Sequence, residues 1–418
     1  MSRLYVFLLS VCCAAWPSVV FAQHVFEAIV ADAQTHEVLP FATIYINNVS
    51  STISNSQGAF AVKCDSDDVV RISYVGYRTL QLKAAQLSAV VSLSPVEQTV
   101  GEVTILPIHL KKFIQKTTKE TLRQLQKNRK QTARFFYRQT AFARDLLDSL
   151  QTDSICNELV EAFLSGSSAV SLRDLQLLAG RYAAIKPDSV APYAYYRNFY
   201  TYSQIEIALK SSNLSKSAVL PPLFPQWEKV YDVDYDIAFD ESGARLILLR
   251  FEPKPNVRRA LIAGTVYVDE QTFHVRRIVG RGVNNLVAVD FWVKGEDGQS
   301  TLRRWVIPSH FTFDIHMTEE RGFVEVQSVF IRDSHDFDGF RISTSSTLYN
   351  VGDSTTSLER MVGKKGTTLE FYGHLHNIID SQNYDPAFWR DNEIVHRTPV
   401  EQQVQQLFEE QNLFGVWK

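Results

Sequence analysis

The sequence predicts a mainly β protein: a small N-terminal β-sandwich, then a larger, antiparallel, curled β-sheet domain with a few helices. Three observations carry this expectation. Apolar and polar residues alternate at period two through much of the chain, as half-buried strands require. Clusters of Gly, Asn, Asp and Ser break these runs at short intervals. With 418 residues, the chain exceeds what one ordinary core organises, so two or three domains are expected.

Composition narrows the class. Apolar residues make up 45% of the chain, the level of a folded protein. The net charge of −3 gives the whole chain no electrostatic pull toward nucleic acid or an anionic membrane.

The opening run MSRLYVFLLSVCCAAWPSVVFAQ has the form of a cleaved export signal over residues 1–22. Arg3 is the positive end, Leu4 to Ala15 the apolar stretch, and Val20-Phe21-Ala22 the small-residue cleavage site before Gln23. Lipidation at Cys12 or Cys13 is disfavoured, because Val11 and Cys12 are poor residues before a lipidated cysteine. No later run reaches the ~18 apolar residues of a membrane helix. The expected location is therefore extracytoplasmic, in the periplasm or at the outer membrane or cell surface. After cleavage Cys64 and Cys156 remain. They fall in different predicted domains, which favours two buried thiols over a bond.

Residues 23–98 read as the sandwich. HVFEAIVAD puts Phe26, Ala28 and Val30 on one face. FATIYINN does the same for Ile44 and Ile46, GAFAVKC for Phe60 and Val62, and VVRISY for Val70, Ile72 and Tyr74. About seven short strands result. Within VVRISYVGYRTLQL, Gly76 separates two tyrosines, and glycine there lets the chain bulge or turn without steric cost. These residues resemble the carboxypeptidase regulatory-like domain, a transthyretin-like sandwich found at the mature N-terminus of exported Bacteroidetes-type proteins. The likeness rests on Leu39-Pro40 with Ala42, on Thr52 to Ser56 leading into Gly58-Ala59-Phe60, and on Ser73 to Tyr77. Gln34-Thr35-His36 and Asn55-Ser56-Gln57 depart from the usual pattern. The resemblance implies a non-catalytic module and no peptidase activity. Such modules also precede TonB-dependent receptors, but roughly 320 residues without sustained lipid-facing alternation do not supply a barrel of about twenty-two strands.

Residues 99–133 form a linker and a helix. Leu110, Phe113, Ile114, Leu122 and Leu125 give an imperfect apolar stripe, and eight Lys or Arg stand against one Glu between Lys111 and Lys130. Such a helix could meet lipid phosphate or an acidic partner. A solvated face on a connector is the simpler expectation.

Residues 134–418 form the β-rich domain. Runs from Val230 onward read as an antiparallel meander with turns at Glu241-Ser242-Gly243, Asp269-Glu270-Gln271, Glu296-Asp297-Gly298 and near Gly339. The hairpin GTVYVDEQTFHVRRI resembles repeats of lipoprotein-carrier half-barrels. At the end, Thr398, Pro399 and Glu401 make a capping box. Val400, Val404, Leu407 and Phe408 share one helical face, and Phe388 and Trp389 suggest an anchoring loop before it.

No residue is assigned a catalytic, cofactor or metal role. Asp232, Asp234 and Asp236 have the spacing that opens a calcium loop, but Ile237 and Gly243 stand where Gly and Glu are needed; a strand with an acidic wet face fits better. Asp333, His335, Asp336 and Asp338 suit a hairpin turn more than a cation site. His374 and His376 share a strand face without a third ligand, with His310 and His316 only distant additions. Ser167 lies in a small-residue loop, not a nucleophile elbow. Zinc-peptidase, phosphate-loop and dinucleotide motifs are missing. The expectation is a non-catalytic binding or scaffold protein of the bacterial envelope, without a cofactor, whose partner is an envelope protein, a glycan or a lipid-like ligand. The rivals are an envelope hydrolase of peptide or glycan and a carrier of lipid-like ligands on a half-barrel sheet. A greasy concavity would favour the carrier, and close carboxylates or a His/Asp cluster the hydrolase.

Overall fold

A computed structural model describes residues 24–96, 108–128, 130–146, 155–167, 176–184, 223, 227–240, 242–257, 261–284, 286–294, 299–320, 323–337, 339–352, 367–368, 379 and 384–414. Residues 1–22, expected to be an export signal, with Cys12 and Cys13, the turn 296–298, Asp338, His374 and His376 lie outside them.

Seven strands build the sandwich. One sheet has the order β4-β1-β7, from β1 (His24–Asp32), β4 (Ala59–Cys64) and β7 (Val90–Leu93). The other has the order β3-β2-β5-β6, from β2 (Thr43–Ile46), β3 (Val49–Ile53), β5 (Val69–Ser73) and β6 (Leu80–Lys83). The period-two faces meet as expected: Ala28, Val30, Phe60 and Val62 pack against Ile44, Val70 and Ile72. Cys64 is a buried free thiol, and burial pushes it up to about 11. The glycine question also resolves. Gly76 has φ +89° in a turn closed by Tyr77 N donating to Tyr74 O at 3.0 Å. Positive φ at that third turn position is costly for any side chain. The turn ends β5 between Tyr74, which is buried, and Tyr77, which is half-buried.

The larger domain is a mainly antiparallel sheet of eleven strands, ordered β11-β12-β13-β14-β17-β18-β19-β8-β9-β10-β20. It comprises β8 (Thr132–Asp145), β9 (Ile155–Ser167), β10 (Gln176–Ala184), β11 (Tyr231–Phe239), β12 (Arg245–Pro253), β13 (Leu261–Asp269), β14 (Val275–Val283), β17 (His310–Glu320), β18 (Phe323–Phe337), β19 (Phe340–Asn350) and β20 (Thr367–Thr368). The meander departs from expectation twice. β15 (Leu286–Lys294) and β16 (Ser300–Pro308) pair only with each other among the described residues, so that hairpin leaves the sheet and β14 pairs with β17. β19 returns across nearly the whole domain to pair with β8. Ser167 ends strand β9 instead of sitting in a loop.

The inner face gathers one large core, including Phe135, Val160, Leu249, Val266, Phe313 and Ile331. Helix α1 (Leu110–Asn128) lies on it, with Phe113 and Ile114 fully in that core. The outer face is covered in two places. Short helix α2 (Pro386–Asp391) and helix α3 (Pro399–Glu410) cover β8, β9 and β10, and the sandwich covers part of β14, β17 and β18. The α3 capping box forms: Thr398 accepts from Glu401 N at 3.3 Å, and Glu401 accepts from Thr398 N at 2.8 Å. Its docking face is narrower than the sequence suggested. Val404 and Phe408 are buried, whereas Val400 and Leu407 are exposed.

Candidate functional site

The inner face changes character along its strands. Strand partners point the same way, so register defines rows. One row runs Val329, Leu348, Tyr137, Ala162. The row two residues on runs Ile331, Ser346, Gln139, Val160. The next runs Asp333, Thr344, Ala141, Glu158. The face is thus apolar at one end and polar at the other, and all twelve residues are buried.

At the polar end Asp333 takes a hydrogen bond from Ser309 Oγ and stands 3.4 Å from His335 Nδ1. The carboxylate sits between hydroxyl and imidazole, which is the reverse of a catalytic triad, where the imidazole bridges. The Ser309 hydroxyl is therefore bonded to the carboxylate and, among the described residues, not to an imidazole. Glu158 lies three strands from Asp333, about 14 Å at ~4.8 Å per strand, too far to work with it as an acid and base pair. Asp336 instead forks onto Arg341 at 2.7 and 2.8 Å on the surface.

At the apolar end α1 crosses the strand termini. Asn128 Nδ2 donates to Val324 O, and the Phe113 ring lies 5.4 Å from that of Phe273 in the β13–β14 turn. His274 joins helix to sheet: its Nε2 is 3.2 Å from Glu120 Oε1 and its Nδ1 3.0 Å from Glu319 Oε2. Glu120 also takes two hydrogen bonds from Arg123, which with Gln124 hold its carboxyl down at about 2 against the opposing effect of burial.

Beside this contact lies an open groove of about 1070 Å³. Ile114, Leu122, Trp227 and Phe273 give it an apolar floor, and Lys111, Lys116, Lys119 and Arg123 a cationic rim. The same helix thus supplies core contacts on one face and the rim on another. Its buried positions are Phe113, Ile114, Thr117, Thr118, Gln124 and Asn128, a stripe at helical spacing. Several are polar: Thr118 Oγ1 donates back to Ile114 O at 2.7 Å and Asn128 Nδ2 donates to the sheet, which compensates the burial of those two donors. The connector expectation missed this because the cations dominate the helix composition.

The remaining residues weighed from the sequence serve elsewhere. Asp232, Asp234 and Asp236 alternate outward along β11 with Val233, Tyr235 and Ile237 inward. Asp232 stands 3.7 Å from Lys254, and Asp236 pairs with Arg250. His310 is exposed. His316 is buried on the outer face, its Nε2 3.1 Å from Asp314 Oδ1. Ser167 Oγ donates to Asn128 O at 3.0 Å.

Sequence reasoning also missed a charged cluster under α3. Glu161 is fully buried and receives Arg138 Nε and Arg181 Nε at 2.7 Å each and Arg397 Nη2 at 2.9 and 3.1 Å. Donors from β8, β10 and the segment before α3 thus converge on its two oxygens, so it locks the C-terminal segment to the sheet.

No family model matches the sequence, and no curated protein matches it. Among solved structures, the chain is similar to a DUF1329 family protein from Desulfovibrio piger, at 8% identity over 59% of this chain and 96% of that one, with a TM-score of 0.18. It is also similar to a chain of the Pseudomonas aeruginosa MucA/MucB complex, at 10% identity over 60% and 99%, with a TM-score of 0.16. At these scores neither neighbour bears on chemistry.

Proposed function

We propose that the chain is an exported, non-catalytic binding protein of the bacterial cell envelope that seats its ligand in the groove beside α1. The groove is the observation that carries this reading: an apolar floor of Ile114, Leu122, Trp227 and Phe273 lies open under a polar rim. Concave sites with apolar walls and a few placed polar groups are where proteins hold small ligands. Export rests on the leader Met1–Ala22 and its cleavage site. The two-sheet packing of residues 24–93 and the turn at Gly76 support a regulatory-like module in front, acting as a docking unit for the larger sheet.

The test is recovery of the passenger. The native protein, purified from the envelope under mild conditions, should carry a specific small molecule detectable by mass spectrometry. A Leu122→Glu variant, which charges the groove floor at a half-buried position, should lose that molecule while keeping its circular dichroism. Equal recovery from both proteins would move the ligand out of the groove, and an empty native protein would leave a scaffold role instead.

A further inference from the structure

We infer, resting on the groove assignment above, that the ligand is an anionic amphiphile: a single lipid-like chain ending in a carboxylate. Three features of the groove converge on this class. The floor offers the aliphatic and aromatic faces of Ile114, Leu122, Trp227 and Phe273, which suits a hydrocarbon body. Lys112, Lys116, Lys119 and Arg123 recur at i, i+4, i+7 and i+11 along α1, one stripe of a 3.6-residue helix. The last three of them line the groove.

The pairing of charges then selects the head group. The lining includes two acids, Glu120 and Glu228. Glu120 is engaged by Arg123, Gln124 and His274, and Glu228 by Lys111 at 2.9 Å. Lys116 and Lys119 have no carboxylate against them among the described residues. The Lys116 ammonium stands 5.1 Å from the centre of the Phe273 ring, so a cation already sits where floor and rim meet. A neutral lipid would leave both ammonium groups without a counter-ion, whereas a carboxylate would pair with them at the groove edge. A small soluble anion would use the rim and waste the floor.

The experiment uses the full mature chain and two probes that differ only in the head: 9,10-dibromostearate and its methyl ester. Bromine quenches nearby indole fluorescence, and Trp227 is in the floor. Dibromostearate should quench saturably, the ester should bind at least tenfold more weakly, and Trp227→Phe should remove the quenching. The exposed double substitution Lys116→Glu with Lys119→Glu should weaken dibromostearate at least tenfold and leave the ester within twofold. A dye on Gln115→Cys, an exposed groove position outside the charge pair, gives a second readout that does not depend on Trp227. Equal binding of acid and ester, or indifference to the charge reversal, would overturn the anionic head while the groove assignment stood. If neither probe alters indole or dye signal, the groove assignment itself falls. Competition by an acidic peptide as strong as that by stearate would overturn the amphiphile.

Discussion

Single residues carry unusual loads where charge or space is confined. Glu161 is the clearest case. Burial by itself would raise its carboxyl, but the guanidiniums of Arg181, Arg397 and Arg138 outweigh burial and hold it well below the ordinary range. Its folded value lies below its unfolded one, so the stability it contributes is present above the usual carboxylate value and drains away as pH falls toward the folded value. Asp314 acts in the same direction, lowered against burial by His316 and Arg277. Urea unfolding should therefore show a falling midpoint below about pH 4.5, and Glu161→Gln should flatten that slope. At neutral pH the same variant leaves three guanidiniums facing an uncharged partner, so a loss of about 3–5 kcal/mol is expected. Glycines separate two other causes. A Cβ at Gly76 meets nothing within 4 Å, yet φ is +89°, so Gly76→Ala should cost only the left-handed penalty, about 1–2 kcal/mol. At Gly280 a Cβ would stand 2.2 Å from Ala263 O, a backbone atom that cannot swing away. Gly280→Ala should therefore cost more than Gly76→Ala in the same melts.

At the scale of elements, legibility followed locality. The seven sandwich strands, the β11–β14 hairpins and the α3 capping box were readable because each is specified within a few residues by period two, turn chemistry or a cap. Pairing of β19 with β8 was not, since nothing local ties Phe340–Asn350 to Thr132–Asp145. Nor does sequence say that β15–β16 leaves the sheet, because its alternation is that of any hairpin. For α3 the apolar face was found but its width overstated, as periodicity shows which residues share a side and not how far the neighbour reaches. The groove drew its parts from α1, Trp227 and Phe273, far apart in the chain, so only the cations and apolar residues of α1 were visible beforehand. The burial of α1 can be measured. Phe113→Ala should cost about 3–5 kcal/mol, the cost of emptying a core site, and Lys112→Ala should stay within about 0.5 kcal/mol. Chemical denaturation that found Phe113→Ala equally silent would return α1 to the role of a connector.

On the scale of the whole molecule, the sandwich and the sheet are joined by specific contacts. Phe41 stacks on Phe330 with ring centres 4.4 Å apart, and Thr52 Oγ1 donates to Ile394 O at 2.5 Å. Asn55 Nδ2 reaches His396 O at 3.2 Å, so the C-terminal segment touches both units. The turn at Gly76 supplies the rest. Tyr77 Oη donates to Asp32 Oδ2 at 2.6 Å and fixes the turn to its own sandwich. The Tyr74 ring then projects onto the sheet, 5.0 Å from the Arg277 guanidinium and 5.7 Å from the His316 ring, and burial pushes its phenol up to about 12. Arg277 in turn forks onto Asp314 at 2.9 and 2.6 Å. The Tyr77–Asp32 bond lies within the sandwich and the Arg277–Asp314 fork within the sheet, so the two units meet here through the Tyr74 ring, and separating them would return that ring and Phe41 to water. The two units should accordingly unfold as one. Scanning calorimetry of the mature chain should give a single transition whose calorimetric and van't Hoff enthalpies agree. Arg277→Ala removes the fork from buried Asp314, should cost about 3–5 kcal/mol at the interface, and should split the transition in two. Tyr77→Phe keeps the ring but drops the tether to Asp32, so it should lower the midpoint without splitting it. Two transitions in the unaltered chain would show instead that these contacts are too weak to couple the sandwich to the sheet.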